Sequence, residues 1–344
     1  MPLASAPPPR GARRRRRLSR GLAIAIVAIV VVVVLGVLAA VGLLVTRAVQ
    51  AMSAHPPGVG TALIVASDSK AAVAADDPQA TDDERAAAAY LARQPTAYWL
   101  TPERDPIGEV WDRIGHLADQ ARQQDAALAV VVYGLPGRDC GSFSAGGLDE
   151  DDYATWTGEI GQALANAGDL QRIVVLEPDS LALAPECRNL DERTRQLSTA
   201  VDRLHGDNTW IYLDAGHATW HTPADMAAII AETGLLERVR GFATNVSNYN
   251  SADSEFDYAH ALAARLGGGH ALIDTSRSGA GGNGSWCNAS GRLIGEPGGT
   301  YGDDVVDTNL WIKPPGESDG PCNGGPPAGQ WWPEAAVDLT RQAR

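Results

Sequence analysis

The chain has 344 residues, 44% of them hydrophobic, and a formal charge of −14 at pH 7. That length suits one large domain or two of ordinary size. Residues 1–50 hold eight Arg and no acid, so residues 51–344 carry −22, a surface that repels nucleic acid and anionic polymers and tolerates a neutral ligand.

Residues 1–20 form a basic segment in which Arg13 to Arg17 run unbroken. Residues 21–45 are uncharged and almost wholly apolar. A secretory signal has an apolar region of about 7–15 residues, whereas a membrane-crossing helix needs about 20. The Arg block therefore predicts a single-pass transmembrane anchor with its N-terminus inside and the remainder at the extracellular face. The alternative is an overlong signal peptide cut near Ala54, which would release a secreted protein. Residues 46–60 read as a short tether, and residues 61–344 as one domain, since no second module is visible.

Within that domain Thr61 to Val65 reads as a first strand, followed by an Ala-rich helical stretch to about Asp77 and a helix candidate from Asp82 to Arg93. Ala97 to Leu100 is strand-like. Pro106 opens an amphipathic helix that runs through Trp111, Ile114 and Leu117 to about Gln124. Ala127 to Tyr133, Ile173 to Leu176 and Trp210 to Leu213 are apolar runs of the kind covered on both faces. Helical stretches are expected over residues 153–167, 189–204, 223–236 and 255–266. Further strands begin at Gly241 and span Ala271 to Ile273 and Leu310 to Ile312, and Ala335 to Gln342 closes the tail. Such alternation argues an α/β fold, either a barrel or a doubly wound sheet. No GxGxxG joins a strand directly to a helix, no Walker sequence follows a strand, and no GxSxG forms a strand-to-helix nucleophile elbow, since GESDG (316–320) lies in a Pro/Gly-rich passage, which weakens dinucleotide, nucleotide and serine-hydrolase readings.

Three apolar runs stop at or near a carboxylate: VVVYGLPGRDC at Asp139, RIVVLEPDS at Asp179 and WIYLDAGH at Asp214. In a barrel of parallel strands those ends share the rim where active sites are built. Asp274 and Asp319 also lie at or just beyond apolar runs. A lone Asp after a strand is most often a turn or cap residue, but this set is flanked by Gly, Pro, Tyr and Trp, as a carbohydrate-stacking cleft would be. Glycoside hydrolysis needs one carboxyl kept protonated and another kept ionised, and neighbouring carboxylates separate those roles because a like charge raises a partner's pKa. His217 and His221 lack the HExxH arrangement; substrate contact suits His217 and a structural or surface role His221. No metal site is expected. Trp99, Trp220 and Trp286 lie near predicted loop edges. Cys140, Cys187, Cys287 and Cys322 all fall in the exported part, where disulfides are favoured. Sequence alone permits three connectivities; sequential pairing is preferred.

The segments YGLPGRDCG (133–141), LEPDSLA (176–182), YLDAGHATWH (212–221), TNVSNYN (244–250), IDTSRSG (273–279), WCN (286–288) and LWIKPPGESDG (310–320) together resemble glycoside hydrolase family 6, the inverting cellulases. The resemblance covers roughly residues 62–340 and implies a distorted (β/α) barrel, a β-1,4-glucan or cello-oligosaccharide substrate, inversion at the anomeric carbon and no cofactor. It puts the proton donor on Asp179, the auxiliary carboxylate that holds the donor protonated on Asp139, the ring-contacting tyrosine on Tyr133 and the proposed base on Asp319, with a water chain as the alternative to direct abstraction. Sugar-binding positions fall on Trp99, Asp214, His217, Trp220, Asn245, Trp286, Lys313 and Glu317. The implied disulfides are Cys140–Cys187 and Cys287–Cys322. The 34 residues between the last two cysteines match open-cleft endoglucanases better than tunnel-forming cellobiohydrolases. The anchor makes a soluble or cell-associated glucan a more plausible substrate than crystalline cellulose. A monomer is expected, and a non-catalytic glycan-binding protein is the competing class.

Overall fold

The computed structural model describes residues 20–344, so the basic segment expected over 1–20 lies outside the described residues except for Arg20. Two units follow, the first ending at Ser53 and the second spanning Ala54–Arg344. The first is a single helix, α1 (Arg20–Ser53), whose described apolar side chains, among them Ile24, Val32 and Leu38, are exposed. Among the residues whose side chains are described, which omit several in α1, no helix is long and apolar enough to cross a membrane. The expected anchor over 21–45 falls on this partly described helix.

The second unit is built on seven parallel strands whose order in the sheet is their order in the chain. They are β1 (Tyr98–Leu100), β2 (Leu128–Val132), β3 (Arg172–Leu176), β4 (Thr209–Asp214), β5 (Gly241–Thr244), β6 (His270–Asp274) and β7 (Val306–Leu310). Helices α2 (Lys70–Ala75), α3 (Asp82–Leu91), α4 (Val110–Gln124), α5 (Glu150–Asn166), α6 (Ala184–Cys187), α7 (Leu190–Leu204), α8 (Pro223–Thr233), α9 (Ala252–Leu266) and α10 (Pro333–Thr340) complete the unit.

The strands are apolar on both faces because each face meets a different core. Val130, Val132, Val174, Leu176, Leu213 and Phe242 pack outward with the helices. Their alternating neighbours Val131, Ile173, Val175, Tyr212, Ala243 and Leu272 fill the inside of the curl. Period-two alternation between two buried layers is what a curled parallel sheet with outer helices requires. The sheet is a half-barrel: β1 and β7 do not pair as strands, and the seam is crossed instead by Ala97 N–H donating to Trp311 O (2.9 Å) and Trp99 Nε1–H donating to Ile312 O (2.8 Å).

Helix starts follow local chemistry. Thr81 and Glu84 form a capping box at α3, and the Thr222 hydroxyl accepts from Asp225 N–H ahead of Pro223 at the start of α8. Where α5 meets α7, a Cβ on Gly161 would stand 1.9 Å from Arg203 O, so only glycine permits that approach.

Two strand expectations need correction. Residues 61–65 make only an isolated parallel bridge, Leu63 to Ala127, because Gly60 N–H is spent on Gly299 O and Thr61 N–H on Gly58 O instead of on a neighbouring strand. The last strand is Val306–Leu310, four residues earlier than expected. Its sequence VDTNL hides a strand because Asp307 is buried in ion pairing with Arg240 and a hydrogen bond from Tyr212, while Asn309 Nδ2 donates to Thr275 and Pro297.

Candidate active site

The C-terminal ends of β1 to β7 open into a cleft of about 1400 Å³, lined by Trp99, Tyr133, Asp139, Asp179, His217, Trp220, Trp286, Lys313, Glu317 and Asp319 among others. The chain turns sharply there. Among described residues ten non-glycine positions have positive φ, and Asp139, Cys140, Glu177, Asp179, Asn245, Ser247 and Asn288 are seven of them. Strained backbone gathered at one rim marks a site the surrounding fold holds in place.

Asp179 follows β3 with φ 67°, and its backbone N–H donates to Asp214 Oδ1 at 3.0 Å. Burial, then the charges of Asp139 and Asp319, push its carboxyl up to about 7, against a smaller opposing effect of Lys313. Among the described residues no cation pairs with it. Asp139, on the loop after β2, accepts Ser144 N–H at 2.9 Å; burial raises its pKa too, more than Ser144 and Arg138 lower it. Tyr133 lies beside them with its ring edge-on to Trp99 (centroids 5.3 Å apart) and the Arg138 guanidinium over its face at 4.7 Å. Burial and the nearby Asp179 and Asp139 keep its phenol protonated.

Across the cleft Asp319 is surrounded by donors. Arg277 Nη1 lies 3.0 and 2.9 Å from its two oxygens, Tyr249 OH and Asn288 N–H each donate at 2.9 Å, and Lys313 Nζ is 3.6 Å away. Burial alone would raise its pKa, but Arg277 and Lys313 outweigh burial and hold the carboxyl below the usual range. Lys313 also lies under Trp99, its ammonium 5.5 Å from the ring centroid. Glu317 pairs with Lys70 at 2.9 Å. Trp286 is 54% exposed with its ring 5.8 Å from that of Phe143, which leaves an aromatic face to the cleft.

Both preferred disulfides are present, Cys140–Cys187 and Cys287–Cys322. Each joins a loop next to Asp139 or Asp319 to a second segment, which restricts the loops that aim those carboxylates.

Not every expected residue reaches the cleft. Asp214 is buried under Asp179, with Oδ1 accepting from Asp179 and Gly216 N–H and Oδ2 unpartnered; burial and Asp179 hold its carboxyl well above the usual range. Asn245 is fully buried, its amide bonded to Asn250 and to Asp274 O. Both support the floor, because the strand-end turn directs them inward, and neither lines the cleft. Asp274 accepts four backbone N–H groups, from Ser247, Ser276, Ile312 and Lys313, and is a loop anchor. His221 Nε2 meets Ala182 O at 2.7 Å, a structural contact as expected. Among the described residues no cluster of side chains is arranged to hold a metal ion.

Sequence reasoning missed several residues. Arg277 stands in the IDTSRSG segment, where a lone Arg inside a short apolar-to-loop passage is the signal for a buried ion pair. Glu177, fully buried, accepts Gly134 N–H (3.0 Å) and Leu135 N–H (3.2 Å), joining the loop after β2 to that after β3; burial lifts it to about 7. Nothing local announced this long-range bond.

A shielded, unpaired carboxyl facing an ion-paired one across an aromatic-edged cleft places the molecule with the carboxylate-dependent glycoside hydrolases. The family model "Glycosyl hydrolases family 6" matches residues 59–343. The chain is 39% identical over 269 residues to Endoglucanase A of Cellulomonas fimi, an alignment covering 77% of this chain and 58% of that relative's length. It is 32% identical over 284 residues to Exoglucanase 3 of Agaricus bisporus, covering 70% of this chain and 64% of that relative. The solved endoglucanase Cel6 of Mycobacterium tuberculosis, in complex with methyl-cellobiosyl-4-deoxy-4-thio-β-D-cellobioside, superposes with a TM-score of 0.76 at 35% identity, over 84% of this chain and 99% of that one. The chain belongs to glycosyl hydrolase family 6 and is a glycoside hydrolase of that family.

Proposed function

We propose that the protein hydrolyses internal β-1,4-glucosidic bonds of cellulose or a related β-glucan with inversion at the anomeric carbon. The contrast between Asp179, unpaired and raised to about 7, and Asp319, paired with Arg277 and held ionised, carries this reading. Asp179 gives its proton to the glycosidic oxygen as the C1–O bond breaks. Water adds to C1 from the opposite face. Asp139 keeps Asp179 protonated through its negative charge. Asp319 is a weak base because of its ion pair, so its main part is a fixed negative charge that stabilises the oxocarbenium-like transition state, while the water's proton leaves through solvent in the cleft. Tyr133, Trp99, Trp220, Trp286, His217, Lys313 and Glu317 hold the sugar rings by stacking and hydrogen bonds.

The bacterial relative named an endoglucanase and the short interval closed by Cys287–Cys322 support endo action. The similarity to an exoglucanase makes cellobiose release the second reading. Incubation of the full chain with soluble cellulose and cellohexaose, followed by viscometry and NMR of the fresh anomer, separates them. The expected result is rapid viscosity loss with α-anomer products, abolished in Asp179→Asn. Cellobiose release with little viscosity loss would move the protein to the exo class, and binding without turnover would make it a glycan-binding protein.

We also assign residues 21–45 as an anchor that holds the catalytic unit, as a monomer, at the extracellular face of the membrane. Membrane fractionation with N-terminal sequencing tests this: a mature chain beginning near Ala54 in the medium would contradict it.

A further inference from the structure

Glu255 is a buried carboxylate that the reaction above does not use. It projects from α9 and is 0% exposed. Its Oε1 accepts Ala218 N–H at 3.0 Å and Asn250 Nδ2–H at 2.7 Å, while its Oε2 has no hydrogen-bond partner among the described residues. Burial raises its pKa more than these bonds and the nearby Thr244 side chain lower it. Burying a carboxyl away from any cation is costly. What it holds is instructive, because both of its donors flank His217.

His217 lines the cleft. Its Nδ1 lies 3.2 Å from Asn250 Nδ2 and 3.0 Å from the Thr219 hydroxyl. A hydroxyl can donate or accept, so Thr219 fits either tautomer. The amide nitrogen of Asn250 can only donate. Its orientation is fixed by the bond to Glu255, since turning the amide over would set the Asn250 oxygen against the Glu255 oxygen. The second amide hydrogen is shared between Nδ1 at 3.2 Å and the Thr219 hydroxyl at 3.3 Å, and a donor this close to Nδ1 favours that nitrogen as the acceptor, with the ring proton on Nε2. Burial, with His221 nearby, lowers the His217 pKa to about 4, so the ring is neutral at ordinary pH.

We propose that Glu255 is a positioning residue that selects, through Asn250, the Nε2–H tautomer of His217, so that the imidazole presents a fixed hydrogen-bond donor to a sugar hydroxyl in the cleft. This rests on the glucan-hydrolase reading for its substrate, although the tautomer itself does not depend on that reading.

The test uses the full chain labelled with ¹⁵N-histidine, the His217 signals being identified by their loss in His217→Gln. In the unmodified protein a long-range ¹H–¹⁵N spectrum is expected to show Nδ1 unprotonated and Nε2 protonated. Glu255→Leu removes the acceptor at similar volume and frees the Asn250 amide to turn. The Nδ1–H tautomer is then expected to appear, and kcat/KM on cellohexaose to fall about tenfold, the effect of about one lost hydrogen bond. Glu255→Gln can keep both bonds through its carbonyl oxygen and is expected to restore the tautomer and most of the activity lost in the Leu variant. An Nδ1–H ring in the unmodified protein overturns the proposal even if Glu255→Leu fails to fold. An unchanged tautomer in a folded Glu255→Leu protein overturns it as well. A protein with the expected tautomers and no glucan turnover would leave the positioning intact and refute the substrate reading.

Discussion

The two sides of the cleft use the same side chain for opposite ends. On the β2–β3 side, Asp179 and Asp139 are brought together without a cation partner for Asp179, and burial plus like charge keep the proton on it. On the far side, Arg277, Tyr249, Asn288 and Lys313 converge on Asp319 and take the proton away. Burial does not account for the contrast, since Asp319 is the more buried carboxylate and yet the ionised one; the neighbours do. An Asp becomes an acid or a permanent anion according to whether the fold supplies it with donors.

The most direct way to break the comparison is to remove its acid. Asp179→Asn cannot donate a proton, and kcat on soluble cellulose is expected to fall by about 10²–10⁴-fold, with circular dichroism and melting unchanged or slightly improved. Retained turnover would place the acid elsewhere.

Removing the main cation of the other side comes next. Arg277→Met leaves Asp319 buried without its principal partner, and chemical denaturation at pH 7 should show a loss of about 3–5 kcal/mol. The sign with pH follows from the depressed pKa of Asp319. Its charge stabilises the fold above the unfolded value near 4 and ceases to do so as pH falls through the lower folded value. The deficit of Arg277→Met should therefore narrow below about pH 4. Asp179 and Glu177, both raised to about 7, act in the opposite sense: the folded state binds their protons more tightly, so their effect lowers stability as pH rises from about 4 to 7. A deficit constant from pH 3 to 7 would mean that Arg277 contributes packing alone.

Two smaller changes sharpen the comparison by moving the acid's pKa in opposite directions. Asp139→Asn removes a charge that disfavours ionised Asp179, so the alkaline limb of the kcat/KM profile should move to lower pH, and activity at neutral pH should drop by about tenfold for each pH unit of displacement. Lys313→Met removes a charge that favours ionised Asp179, and the limb should move the other way, by less, since Lys313 acts on that carboxyl more weakly than Asp139 does. Displacement in the same direction by both variants would show that the limb belongs to another group.

How much of this was legible in the sequence depended on range. The strands β2, β3 and β4 were readable because Val130–Val132, Val174–Leu176 and Ile211–Leu213 sit between two cores and must be apolar on both faces. The turns carrying Asp139 and Asp179 were readable from the Gly, Pro and Asp that follow. β7 was not, since Asp307 and Asn309 are satisfied by Arg240, Tyr212 and Thr275 from distant parts of the chain. The donors around Asp319 come from Tyr249, Arg277 and Asn288, between 31 and 70 residues away, and no local pattern encodes their convergence. The resemblance implies sugar contact for Asp214 and Asn245, yet the turns point their side chains into the floor, where they hold Asp179 and the loop after β5.

Acid catalysis at this site requires a protonated Asp179, and a carboxyl ¹³C NMR titration of the full chain, with the signal identified by its loss in Asp179→Asn, measures that directly. The expected midpoint is about 7, with a second inflection as the neighbouring carboxyls ionise. A midpoint near the ordinary aspartate value of about 4 would mean that the carboxyl is ionised at working pH, and the assignment of Asp179 as the acid would be wrong.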